Sequence, residues 1–155
     1  MDNLQKFYIG GQWVAPASDA TMPVLNPATE AQIGSVAMGN AADVDKAVAA
    51  AKAAFESFSQ TSKADRLALL HRLKTVTEKR IEDLAQAMRM EMGAPISMAR
   101  DAQADAAVGH LQGFIDALET LEERTTLANG DVLMREPIGV CGLVTPWNWP
   151  MNKTP

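Results

Sequence analysis

Residues 138–144, Ile-Gly-Val-Cys-Gly-Leu-Val, are apolar or glycine throughout, with no alternation of polar and apolar positions. A strand with one wet face must alternate, because successive side chains point to opposite sides of a sheet. A run without any polar position therefore predicts a strand buried on both faces, and such strands belong to parallel sheets covered by helices. This segment constrains the chain to an α/β fold more tightly than any other. It also says where a site should lie, since open α/β sheets bind ligands beyond the carboxyl ends of their strands. Here that end is Thr145, Pro146, Trp147, Asn148 and Trp149.

The rest of the chain falls into stretches of different texture. Over residues 7–38, Gly10 and Gly11 separate two aromatic and β-branched runs, as a tight hairpin requires, and Asn26 and Pro27 punctuate a further pair ending in a strand from Ile33 to Met38. These predict a small antiparallel β unit. Asn40 then reads as a helix cap with Asp43 in the first turn, and Val44, Val48, Ala51, Phe55 and Phe58 fall on one face, the expected core side. Ser62 and Asp65 have capping-box spacing and open a second helix. Its stripe of Leu67, Leu70, Leu73, Val76, Ile81, Leu84 and Met88 runs on to stop signals at Gly93 and Pro95. A third, alanine-rich helical stretch from about Ser97 to Glu123 predicts close helix packing. Asn129 and Gly130 mark another hairpin.

Composition excludes several function classes. A net charge of −5 with both signs interspersed offers no basic patch for phosphate backbones or anionic lipid, so neither nucleic acid nor a membrane surface is expected as a partner. No apolar run approaches the ~18 residues a membrane helix needs, and the first residues have no signal-peptide pattern. Cys141 is the single cysteine, which rules out a disulfide framework within the chain and fits a reducing, cytoplasmic setting. Inside a buried strand its thiol would behave as a small hydrophobe. His71 and His110 have no second ligand at helical spacing, so no metal site is expected.

The loop after the apolar run has its own chemistry. Pro146 and Pro150 fix their own φ and restrict Thr145 and Trp149 before them. Trp147 and Trp149 supply large apolar walls, and Asn148 is the polar side chain between them. Its amide carries two donors that do not titrate, suited to stabilising an oxyanion. An asparagine that closes a turn onto its own backbone is the other reading, and local chemistry leaves both open.

Taken together, FYIGGQWV, NPATEAQIGSV, ADVDKAVAAAKAAF, EMGAP and REPIGVCGLVTPWNWP occur in the order and spacing of the N-terminal part of the aldehyde dehydrogenase superfamily. The resemblance runs from about Phe7 to Met151. It implies that residues 1–155 are the N-terminal part of a Rossmann-like NAD(P)-binding domain, truncated before the catalytic domain. It further implies oxidation of an aldehyde to a carboxylic acid with NAD or NADP, in a homodimer or homotetramer. By the same resemblance Asn148 is a catalytic residue helping to hold the aldehyde oxygen. Val144, Thr145, Pro146 and Trp147 lie against the cofactor, Trp149 lines the substrate tunnel, and residues 124–136 form a strand excursion for subunit association. In that chemistry a cysteine thiolate adds to the carbonyl, hydride leaves to the nicotinamide, and a glutamate activates the water that hydrolyses the thioester.

The family's nucleophilic cysteine and general-base glutamate lie beyond the matched region, and Cys141 aligns with a variable apolar position. Lys153, Thr154 and Pro155 depart from the pattern. Two other readings stand beside the dehydrogenase: an inactive stand-alone piece that acts only by association, and a parent that passes the acyl group to coenzyme A.

Overall fold

The computed structural model describes residues 3–152. Gly10 and Gly11, at φ 60° and 80°, turn strand β1 (Phe7–Ile9) back into β2 (Gln12–Val14). Positive φ at both central residues is the requirement of a type I′ two-residue hairpin, and glycine meets it without a Cβ clash. Tyr8 and Trp13 face each other across this pair, their rings 5.2 Å apart. A second antiparallel pair joins β3 (Thr21–Leu25) to β4 (Gln32–Ala37), with the register slipping between Val24 and Leu25. At its turn the Asn26 side chain accepts from the Ala28 N–H at 2.9 Å. The expected β unit is thus two separate two-stranded sheets. The segment before β1 lies along β4, where Ala37 N donates to Leu4 O at 3.1 Å and Gln5 Nε2 to Ser35 O at 2.6 Å.

Helix α1 (Ala41–Phe58) opens on a full capping box between Asn40 and Asp43. Asp43 is buried at 4% exposure, and besides the Asn40 N–H it accepts from Ala17 N at 2.9 Å, which ties the β2–β3 connection to the helix start. The face predicted to meet the core is largely open: Val44, Val48 and Phe58 are exposed, while Ala51 and Phe55 are half-buried. Periodicity identifies the apolar face of a helix but not whether anything arrives to cover it.

The single long helix expected from Ser62 to Gly93 is two, α2 (Lys63–Lys79) and α3 (Ile81–Met92), broken at Arg80 with φ −108° and ψ 6°. The Ser62–Asp65 capping box forms as predicted. Gly93 ends α3 at φ 73°, and a Cβ there would stand 2.8 Å from Pro27 Cγ, so glycine is demanded by conformation and by space. From Ile96 to Thr120 the chain is helical without interruption: a single turn α4 (Ile96–Met98), a π-helical turn Ala99–Ala104, and α5 (Asp105–Thr120).

The core sits where α3 meets the π turn. Ala85, Met88, Ala99 and Ala104 are buried there, with Leu84, Met92, Ile96 and Met151 packed around them. The small residues predicted to allow close helix approach do so. Leu111 and Ile115 carry the packing of α5, which lies against α2. Lys63 Nζ closes the far end of α5 by donating to Glu119 O at 2.7 Å and Leu121 O at 3.1 Å, and Arg66 pairs with Glu123 beside it.

One ion pair clamps α3 to the π turn. Arg100 Nε and Nη2 donate to Glu82 Oε2 and Oε1 at 2.7 and 3.1 Å, and Gln86 Nε2 adds a third bond at 2.8 Å. Arg100 first, and then Gln86, hold the Glu82 carboxyl down from 4.5 to about 2. A carboxylate whose folded pKa is depressed contributes stability above its unfolded value and loses it as pH falls through the folded one. Stability against denaturant should therefore fall as pH drops from 4.5 toward about 2. Glu82→Gln should flatten that part of the acid limb, read as unfolding midpoint against pH; an unchanged slope would show that the pair contributes nothing there.

Residues 124–136 carry the expected hairpin, with β5 (Arg124–Thr126) paired antiparallel to β6 (Val132–Met134) and Gly130 at φ 91° in the turn. The buried strand predicted at 138–144 does not form. Ile138, Leu143 and Val144 are 94%, 80% and 99% exposed, and Cys141 is exposed as well, so its expected burial is also corrected. A strand exists through its ladder, and among the described residues each of the six strands is already paired within its own hairpin. Gly139, at φ 119°, also departs from extended geometry.

Candidate functional site

The residues singled out by the sequence lie on one continuous loop. Val144, Thr145 and Pro146 continue the open, exposed segment, and residues 138–147 make no backbone-to-backbone hydrogen bond among the described residues. Trp147 is 84% exposed and borders a groove of about 610 Å³ whose apolar wall includes Met22, Leu25, Leu84 and Met88. Trp149 is half-buried and is not part of that lining. The loop closes in a 3₁₀ turn, Pro150–Asn152, where Met151 packs into the helical core. Lys153, Thr154 and Pro155 lie outside the described residues.

Asn148 is held by its backbone and free at its side chain. Gln103 Nε2 donates to Asn148 O at 3.2 Å. The Asn148 side chain is exposed and hydrogen-bonds to none of the described residues, so the turn-closing bond considered from the sequence is not made. Its amide donors remain available.

Gln103 was not legible as a functional residue. It is 2% exposed, and its Oε1 has no hydrogen-bond partner among the described residues. A signal was nevertheless present: Ala99, Gln103, Ala107 and Leu111 recur at intervals of four along the buried stripe, with one polar residue among apolar ones.

Elsewhere the surface offers less chemistry. His71 and His110 are exposed on α2 and α5, and among the described residues no group of three or more His, Cys, Asp and Glu side chains could hold a metal ion. None of the described helices is long and apolar enough to cross a membrane. Cys141 has one weak contact, Sγ to Gly139 O at 3.8 Å.

This order of hairpins and helices, ending in a proline-bracketed Trp-Asn-Trp loop, defines the class, and residues 13–154 match the model of the aldehyde dehydrogenase family. The chain belongs to that family. It is 42% identical over 154 residues to a 3-succinoylsemialdehyde-pyridine dehydrogenase of a Pseudomonas species, covering 99% of this chain and 32% of that protein. The chain thus spans about a third of the length of the curated relatives it matches. Among solved structures it resembles an aldehyde dehydrogenase from Bartonella henselae, with a TM-score of 0.94, 40% identity, and coverage of 99% of this chain and 33% of that one. It is equally similar, at TM-score 0.94 and 48% identity over 97% of this chain and 31% of that one, to a mutant aldehyde dehydrogenase C from Pseudomonas syringae in complex with NAD+ and octanal. The fold is therefore an aldehyde-dehydrogenase-like α/β fold, seen in part: helices with small antiparallel strand pairs.

Proposed function

We propose that this chain is the N-terminal third of a cytoplasmic, NAD(P)-dependent aldehyde dehydrogenase that oxidises an aldehyde to a carboxylic acid, and that Asn148 is its donor to the aldehyde oxygen. The observation that carries this reading is the state of Asn148. Its backbone is anchored while its amide is exposed and unbonded among the described residues. An oxyanion donor must be fixed in place yet unspent, because a donor already bonded to its own turn contributes nothing when charge develops on the substrate.

The neighbouring residues fit an adjoining nicotinamide dinucleotide. Residues 144–146 lie outside helix and strand and Trp147 begins a bend, and the backbone groups of 144–147 have no hydrogen-bond partner among the described residues, which suits a surface that touches a cofactor through the main chain. When bound, the nicotinamide supplies the hydride acceptor. Val144, Thr145, Pro146 and Trp147 would bear against it, and Trp149 would wall the aldehyde's path and keep water from it. Asn148 would donate to the oxygen as a thiolate adds to the carbonyl, lowering the cost of the negative charge. That thiolate is not Cys141 in this reading; the nucleophile and the general-base glutamate belong to further polypeptide.

The open segment supports the same reading. Ile138, Leu143 and Val144 are bare apolar side chains, the condition of a strand whose sheet neighbours lie elsewhere in a longer chain. Residues 124–136, a hairpin exposed almost throughout, would serve association between subunits in a homodimer or homotetramer.

The test is the full-length protein encoded with this segment, assayed for NADH or NADPH formation with short aliphatic and aromatic aldehydes. Reduced cofactor, with the carboxylic acid as product, is expected; a requirement for coenzyme A would assign the acylating type. No reduction of either cofactor by the folded protein would leave association as its role.

A further inference from the structure

We propose that Gln103 is the positioning residue for Asn148, clamping the loop by the carbonyl of that residue so that the side-chain amide faces one fixed direction. The inference rests on the reading of Asn148 as an oxyanion donor. Gln103 occupies the π-helical turn Ala99–Ala104, is 2% exposed, and reaches 45 residues along the chain to donate its Nε2 to Asn148 O at 3.2 Å. A carbonyl only accepts, so the amide nitrogen must face the loop. Holding that oxygen fixes the peptide plane between Asn148 and Trp149. Pro150 restricts Trp149 in turn, and Met151 is seated among Ala85, Met88, Ala99 and Ala104. The asparagine therefore projects from a stretch pinned at its own carbonyl and again three residues on.

The bond is made at a visible cost. Gln103 Oε1 is buried without a partner among the described residues, whereas a leucine or methionine of similar volume would fill the same space and strand no acceptor. A residue serving only to pack this interface would have no use for the amide. Its donor is what the position requires, and the donor goes to Asn148. The π turn points the same way, since such turns in otherwise α-helical stretches are rare and recur at functional sites.

The experiment is a double-mutant cycle in the full-length enzyme, comparing wild type, Gln103→Leu, Asn148→Ala and the double variant by kcat and KM for an aldehyde at saturating cofactor. Gln103→Leu should lower kcat about 5- to 30-fold with KM little changed, the effect of losing one hydrogen bond's worth of orientation. In the Asn148→Ala background the same substitution should change kcat by less than about twofold, within the scatter of independent sites. Equal losses in both backgrounds would make Gln103 merely structural and overturn the inference while the reading of Asn148 stood. If Asn148→Ala itself kept wild-type kcat, the reading and the inference would fall together. Should Gln103→Leu fail to fold, Gln103→Glu keeps the shape and replaces the donor by a carboxylate. The cycle built on it is expected to show the same loss confined to the Asn148 background, and equal losses in both backgrounds would again overturn the inference.

Discussion

Asn148→Ala should lower kcat of the full-length enzyme by roughly 10²–10³, about 3–4 kcal/mol of transition-state stabilisation, with the fold intact. The size follows from when the interaction acts. A neutral carbonyl oxygen gains little from an amide donor that water could replace, whereas an oxyanion in a site without water gains several kcal/mol. KM should therefore change far less than kcat. Folding should be unaffected because the side chain is exposed and spends no hydrogen bond on the described residues, while the loop is held through the carbonyl that alanine retains. Circular dichroism with single-turnover hydride transfer separates the two quantities. An unchanged acylation rate would return Asn148 to being a loop residue without catalytic work.

The largest effect on stability is expected at Leu111. It is 1% exposed and, with Ile115, is one of the two largest fully buried side chains among the described residues. Leu111→Ala removes its buried methyl groups and leaves a cavity that rigid helices cannot fully close, at a cost of about 2–5 kcal/mol. That is a large share of the roughly 5–15 kcal/mol by which whole domains are stable. Urea unfolding would read it as a drop in midpoint at constant slope. A loss below about 1 kcal/mol would mean that α5 shifts freely against its neighbours, contrary to close packing on small residues.

What the sequence made legible was the chemistry that acts within a few residues. Gly10 and Gly11, the Asn40 cap, the Ser62–Asp65 box, the stop at Gly93 and the hairpin at Asn129 and Gly130 each occur as read, because positive φ at glycine and orphan N–H groups are local requirements with local solutions, and the structure adds a return bond from Asp43 that completes a box at Asn40. The break at Arg80 was hidden, since neither glycine nor proline marks it and the apolar stripe continues across it. The apolar faces of α1 and of 138–144 were identified as apolar, but whether anything within these residues covers them was not legible: hydrophobicity records a need for partners, and partners are a long-range matter. At the site, the Trp-Asn-Trp loop stood out through its prolines and aromatics, whereas Gln103 looked like one more polar residue in a helix. Its importance comes from a contact with a residue distant in sequence, which spacing does not encode.

The bare segment 138–144 has a consequence in time as well as in space. Hairpins and helices that satisfy themselves locally can form as soon as they are synthesised, but an apolar stretch that needs distant neighbours must wait for them. During that wait it is a template for intermolecular β-stacking, the usual start of aggregation. Pro137 and Pro146 bracket it, and Gly139 and Gly142 interrupt it, with Gly139 bent away from extended geometry at φ 119°. Proline at the flanks and glycine within are what cross-β stacking tolerates least. The residues that flank and interrupt this segment thereby guard it from pairing with the wrong chain.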